Sequence, residues 1–289
     1  MERADRQERT VRKERTPMSD TRTTIDVVGI EKLSKDIRDA AKLMGKREIG
    51  FIVSCYYDIQ AYRIASANQQ RKLLEGEEPS AFMGHFNAQL LAFEKQMATV
   101  LDKWSAHQPM GVWAREIVGI GPIIASGLCA HIDIEKAPSV GHIWRFAGLD
   151  PTSKWEKGKK RPWNAALKRI LWLAGESFVK VSGNARDTYG KLYLQRKEYE
   201  IRRNEAGELA DFAKQRLSQP GAKKLDKGLI ALLETGKLPA IAMHERSKRW
   251  AVKMFLSHWW EEAYRQRYGS VPPAPYPIAH LGHIHKIEP

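Results

Sequence analysis

Val118-Gly119-Ile120-Gly121-Pro122 constrains this chain more than any other feature, because it has the form of the turn in a helix-hairpin-helix. Two glycines separated by one apolar residue let a chain reverse tightly between two helices. The missing Cβ atoms expose backbone N–H groups at the start of the second helix, where an anion is favoured. In that arrangement Ala125 is the small residue that lets the helices approach, while Ile117, Ile120 and Ile123 fill the apolar interior. An ordinary connection with a Gly stop and a Pro start would use the same residues. Context favours the phosphate-binding reading. Downstream, Lys154, Lys157, Lys159, Lys160, Arg161, Lys168 and Arg169 set seven cations against the single acid Glu156. A hairpin aimed at phosphate and a basic loop beside it point the same way.

The whole chain agrees with a polyanionic partner. Its 289 residues carry a formal charge of +14 and a pI near 9.7, with basic residues spread along the length. Nucleic acid is the leading candidate. No apolar run reaches the roughly 18 residues of a membrane span and no signal-peptide pattern is present, so the expectation is a protein off the membrane, cytoplasmic and associated with the nucleoid. A hydrophobic content of 43% with nine tryptophans argues for packed cores. Cys55 and Cys129 each lie in apolar surroundings and read as buried thiols.

Apolar spacing predicts an all-α fold. Residues 1–24 are polar and mixed in charge, the composition of a disordered basic tail. Residues 25–108 read as a helical region with breaks at Gly45 and at residues 76–80. In its last helix Phe86, Leu90, Phe93, Met97 and Leu101 recur at three- and four-residue steps, as in a coiled coil, so residues 31–107 are a candidate homo-oligomer surface. Residues 109–182 hold the hairpin, the basic loop and an amphipathic helix marked by Leu167, Ile170, Leu171 and Leu173. Residues 183–270 read as short helices broken at Gly207, Pro220-Gly221 and Gly236, then one long helix from Pro239 to Tyr268. On that helix Arg246, Arg249 and Lys253 share one face and Ala251, Phe255 and Trp259 another; the basic set Arg246, Lys248, Arg249 and Lys253 could track a second stretch of nucleic-acid backbone, with a solvated helix face as the competing reading. The prolines of residues 271–289 predict an extended tail.

The run GIGPIIASGLCAHI, then PSVGHIWRFAGLDP, then a Lys/Gly loop, then NAALKRILWLAG resembles the carboxyl-terminal domain of the insertion-sequence transposases that include the Piv-type invertases and the bridge recombinases. The resemblance covers about residues 113–181. It implies DNA binding, branched DNA included, and a role in transposition or site-specific recombination. Family members also carry an amino-terminal RuvC-like domain whose acidic residues bind divalent metal. Here the residues ahead of the hairpin read as helices, and Ile25-Asp26-Val27 only faintly matches its first acidic strand. The family places a nucleophilic serine shortly after the AGLDP-like turn. Ser153 is the serine available, two or three residues early, with Trp155 or Glu156 at the family's position. Lys154 could stabilise its alkoxide; a surface serine is the competing reading. Whether the chain is itself an enzyme stays open, and the alternative is a non-catalytic RNA- or DNA-binding nucleoprotein assembly factor.

Two further features bear on chemistry. His280, His283 and His285 cluster near the C-terminus, with His258 and Glu262 on the long helix, and this set could hold zinc or manganese. No cofactor is otherwise evident. Most tryptophans fall at apolar helical positions and read as core. Trp155 and Trp163 flank the basic loop, where they could instead stack on an unpaired base.

Overall fold

The computed structural model describes residues 30–73, 81–273 and 287. Among them the secondary structure is entirely helical: eleven α-helices and three 3-10 turns, with no strand. The residues numbered 1–24, Asp26 and the three tail histidines lie outside the described residues.

A short α1 (Lys35–Ala40) is capped by Ser34, whose Oγ accepts from the Ile37 N–H at 3.2 Å. The break at Gly45 is local chemistry: its N–H donates to Glu48 Oε2 at 2.7 Å, restarting the chain as α2 (Lys46–Leu73). At 1.5 Å per residue, α2 and α3 (Ala81–Ser105) are rods of about 42 and 38 Å. They run antiparallel, since Trp104 Nε1 donates to the Met44 carbonyl at one end while Gln60 and Arg63 reach Glu94 nearer the other. Ile49, Val53, Met97, Leu101 and Trp104 are buried at the base. Toward the far end the apolar stripe emerges into solvent, with Phe82 and Phe93 68% and 43% exposed.

The helices α4 (Pro109–Glu116) and α5 (Pro122–His131) follow, joined by the glycine turn. Ala125 and Leu128 of α5 are fully buried, and Ser126 Oγ donates to the Leu101 carbonyl at 2.9 Å, tying α5 to α3. Then come α6 (Val140–Phe146) and α7 (Ala165–Val181), the latter carrying Leu167, Ile170, Leu171, Ala174 and Phe178 into the core.

The longest helix, α11 (Ala240–Tyr268), begins after Pro239 and stops at Gly269, whose left-handed φ of 66° closes it. Its Ala251, Phe255 and Trp259 are buried as the spacing predicts. Phe255 sits within an aromatic group with Trp113, Phe178, Tyr189 and Trp259. Packed along α11 is α8 (Tyr189–Glu205), where Glu200 is almost fully buried and accepts from Arg196 at 2.5 Å and Arg246 at 2.8 Å. The helices α9 (Ala210–Leu217) and α10 (Lys227–Glu234) close a small separate core around Leu209, Ala213, Leu233, Leu238 and Met243. Of the tail, Ile287 is described: its carbonyl accepts from His258 Nε2 at 2.8 Å. In the neutral ring Nδ1 is then the acceptor for Tyr189 Oη, also at 2.8 Å.

Candidate nucleic-acid interface

Each residue of the Ala147-Gly148-Leu149-Asp150-Pro151 run has a local task. Ala147 caps α6, and Gly148 follows at φ 66°. Its N–H donates to the Arg145 carbonyl at 3.1 Å, and that of Leu149 to the Trp144 carbonyl at 2.8 Å, the paired bonds of a Schellman stop. Gly148 is required twice, since a Cβ there would also lie 2.8 Å from the Trp163 ring. Asp150 then turns the chain by accepting from the Thr152 N–H at 2.9 Å and the Thr152 hydroxyl at 2.7 Å. These bonds, with Arg145 and Lys253 nearby, hold its carboxyl below the usual range. The loop returns where the Asn164 N–H donates to the Phe146 carbonyl at 2.8 Å, and the Asn164 side chain caps α7. The basic loop is therefore pinned at its base, with both ends on α6.

Inside it, Trp155 Nε1 donates to the Lys159 carbonyl at 2.7 Å, the Arg161 guanidinium lies 5.3 Å from the Trp155 ring, and Glu156 pairs with Lys159 at 2.6 Å. Lys154, Trp155, Lys157, Lys159, Lys160 and Arg161 all face solvent. Trp163 differs: it packs on Gly148, with the Lys168 ammonium 4.4 Å from its ring.

The basic set on α11 divides. Arg246 is engaged by Glu200, and Lys248 is buried, its Nζ bound to Glu176 and, at 2.6 Å, to Glu245. Burial opposes the Lys248 charge, but the two carboxylates raise its pKa overall. Arg249 and Lys253 instead join Lys168 and Arg161. The Lys168 pKa is lowered by burial and then by the Arg249 and Arg161 charges. That of Lys253 is lowered by burial and by Arg249, against the pull of Asp150. Mutual repulsion of this kind marks a surface with excess positive charge, which an anion would relieve.

At the glycine turn the two positions are not equivalent. Gly119 has φ 96°, and its Cβ would lie 3.2 Å from both Ser177 Oγ and Val181 Cγ2; Ser177 Oγ also donates to its carbonyl at 2.5 Å. It is a packing glycine against the C-terminal end of α7. Gly121, the exposed N-cap of α5, has φ −87° and open space around its Cβ position. No side chain caps α5, so the amides of its first turn lack an internal acceptor.

The segment that carries these elements is similar to a transposase family. Residues 114–190 match the model of the Transposase IS116/IS110/IS902 family. This stretch, about a quarter of the chain, is similar to transposases and runs from α4 through the glycine turn, the pinned loop and α7 to the start of α8. Neither a curated protein nor a solved structure matches the chain.

Within and around the transposase-like segment, the structure redistributes the residues singled out from sequence. The glycine turn and the basic loop are not side by side: one packs at Ser177 and Val181, the other opens before Ala165, so they lie near opposite ends of α7, about 20 Å apart. Lys168 joins the cationic cluster, whereas its neighbour Arg169 turns toward α2, pairing with Asp58 at 3.0 Å beside Tyr57. Ser153 is half-buried in the turn after Asp150, its N–H donating to the Asp150 carbonyl, and no described side chain hydrogen-bonds its hydroxyl. Trp172, expected in the core with most tryptophans, is 53% exposed, because it stands on the outer side of α7 one turn beyond Lys168. Trp172 carries no mark of a site residue in the sequence, because its exposure depends on neighbours distant along the chain; Arg249 belongs to the basic set read from the sequence, but its escape from pairing depends on such neighbours too.

Among the described residues, Glu176, His244 and Glu245 bring ligand-type atoms within 4.8 Å of one another. Lys248 Nζ already bridges both carboxylates, and His244 Nδ1 is engaged by Tyr193 Oη at 2.8 Å. With an ammonium already seated between its carboxylates, this group is a poor fit to a divalent metal. No helix among the described residues is long and apolar enough to cross a membrane.

Proposed function

We propose that this chain binds nucleic-acid backbone, DNA in particular, as part of transposition or recombination of a mobile element. The observation that carries the reading is the cluster of Arg161, Lys168, Arg249 and Lys253: Lys168 and Arg249 line one cleft, and burial first, then the neighbouring guanidinium charges, lower the pKa of Lys168 and of Lys253, with Asp150 pulling the other way on Lys253. The exposed loop lysines extend the same charge, and the match of residues 114–190 to a transposase family supports DNA as the polyanion. The first-turn amides of α5 at Gly121 supply a second grip beyond the other end of α7. Contacts of this sort position a duplex without reading its sequence.

The test is equilibrium binding to labelled duplex DNA, a four-way junction and structured RNA across a salt series. Replacing Lys168 and Arg249 by alanine should reduce the slope of log affinity against log salt by about two, one for each phosphate no longer neutralised. An unchanged slope would remove the cluster from the interface. Ser153 stands as the candidate nucleophile of a strand-transfer activity.

A second reading, an assembly factor for a nucleoprotein complex, is favoured by α2 and α3, whose outer halves expose Tyr62, Phe82, Phe86 and Phe93. The two readings are compatible if the helical pair joins copies of the chain.

A further inference from the structure

Between α7, α11 and the Gly148 turn lies a cleft of about 210 Å³. Its floor is apolar, made by Leu149, Leu171 and Val252, and Trp172, Lys168, Arg249 and the Lys248–Glu245 ion pair complete the lining. The Lys248 ammonium, locked by Glu176 and Glu245, lies over one face of the Trp172 ring, 5.2 Å from its centroid. One face of the ring thus meets a fixed, buried group while more than half of the Trp172 surface faces solvent. An indole so placed is a flat apolar platform beside two cations, and nothing in the fold uses its open side.

We infer that this cleft captures one unpaired nucleotide, the base stacking on Trp172 over the apolar floor and its phosphate resting on Lys168 and Arg249. Size supports this. Clefts that enclose drug-sized ligands run to about 300–1,000 Å³, so the cleft admits one planar ring system and leaves sugar and phosphate at the rim. The base must be unpaired, because in a duplex both its faces are covered by neighbours. An aromatic platform beside backbone-binding cations is the usual means of holding single-stranded segments. The inference rests on the nucleic-acid reading above and adds to it a preference for bulged, flipped or single-stranded substrate.

The experiment compares the full-length protein with its Trp172→Ala and Trp172→Phe variants. The probes are a single strand, the matching duplex, and a duplex with one unpaired nucleotide, prepared as DNA and as RNA. Trp172 is half exposed, so its removal should leave the fold intact, which circular dichroism checks. Trp172→Ala should weaken single-strand and bulge binding about tenfold, change duplex affinity less than twofold, and leave Trp172→Phe intermediate. Making the bulged nucleotide abasic should cost the wild type the same factor and the Trp172→Ala protein nothing further. Weakening with both DNA and RNA probes supports a site that reads the base face alone; weakening with one kind supports the site and names its substrate. Equal weakening on duplex and bulge, or none on either, overturns the cleft while leaving the backbone-binding function standing. Failure of the wild type to bind any probe overturns both.

Discussion

Gly119 and Gly121 look interchangeable in sequence and differ in every physical respect. Gly119 combines a left-handed φ with close approach to Ser177 and Val181, so Gly119→Ala should cost about 2 kcal/mol by backbone strain and overpacking. Gly121→Ala meets open space at an ordinary φ and should stay within about 0.5 kcal/mol of wild type. Thermal melts of the two variants check this directly. For the same reason Gly121→Glu places a negative charge at the free end of α5 without disturbing the fold and isolates the hairpin's contribution to DNA binding, whereas any side chain at Gly119 confounds binding with stability. The tight turn was legible from two glycines and a proline; which glycine packs and which opens to solvent was not, because that depends on α7, some 60 residues on.

At the scale of elements, α8 and α11 are joined through a buried charge. Glu200 is 1% exposed and accepts from Arg196 and Arg246, with Arg203 at 3.6 Å. Burial would raise its pKa, but the arginine hydrogen bonds prevail and hold it below the ordinary carboxylate value. A depressed folded-state pKa contributes stability above the unfolded value, about 4.3, and loses it as pH falls through the lower folded value. Melting temperature should therefore drop between roughly pH 5 and pH 3, and Glu200→Gln should flatten that dependence. At pH 7, Glu200→Ala should cost about 3 kcal/mol, since it leaves arginines facing a buried gap. Denaturant unfolding of the two variants over this pH range provides the measurement. Helical periodicity identified α11 almost to the residue, between Pro239 and Gly269, because both ends are marked by local backbone chemistry. The partners of its charges carried no such mark. Arg246 sits on the same helical stripe as Arg249 and Lys253, yet it is consumed by Glu200, while Lys248, on the buried side of the helix with Phe255, is bound by Glu176 and Glu245.

Across the whole molecule, the paired rods α2 and α3 stand on the core by their lower halves and leave their upper apolar stripes uncovered. Phe86 and Phe93 lie on the stripe whose spacing resembles a coiled coil, and Phe82 stacks beside Phe86 at 6.1 Å. If this surface joins two copies, Phe86→Asp with Phe93→Asp should convert a dimer to a monomer in analytical ultracentrifugation with little change in melting temperature, because both side chains are already solvent-exposed. A wild-type monomer at micromolar concentration would reject the assembly role. The nucleic-acid binding proposed for the cationic cluster on α7 and α11 should persist in the double variant, since none of its residues lies on the exposed stripe.

By itself the sequence determined what is local or periodic: the helical class, the ends of α7 and α11, the Gly148 stop, the glycine turn and the excess of positive charge. Each rests on interactions within a few residues, which a linear pattern can carry. Tertiary packing settled which charges remain for a ligand, since that depends on Glu176 and Glu200 arriving from other helices. It also set the glycine turn and the basic loop at opposite ends of α7 and left Trp172 outside the core. Burial is a property of what packs against a surface, and for this chain those surfaces come from segments tens of residues apart.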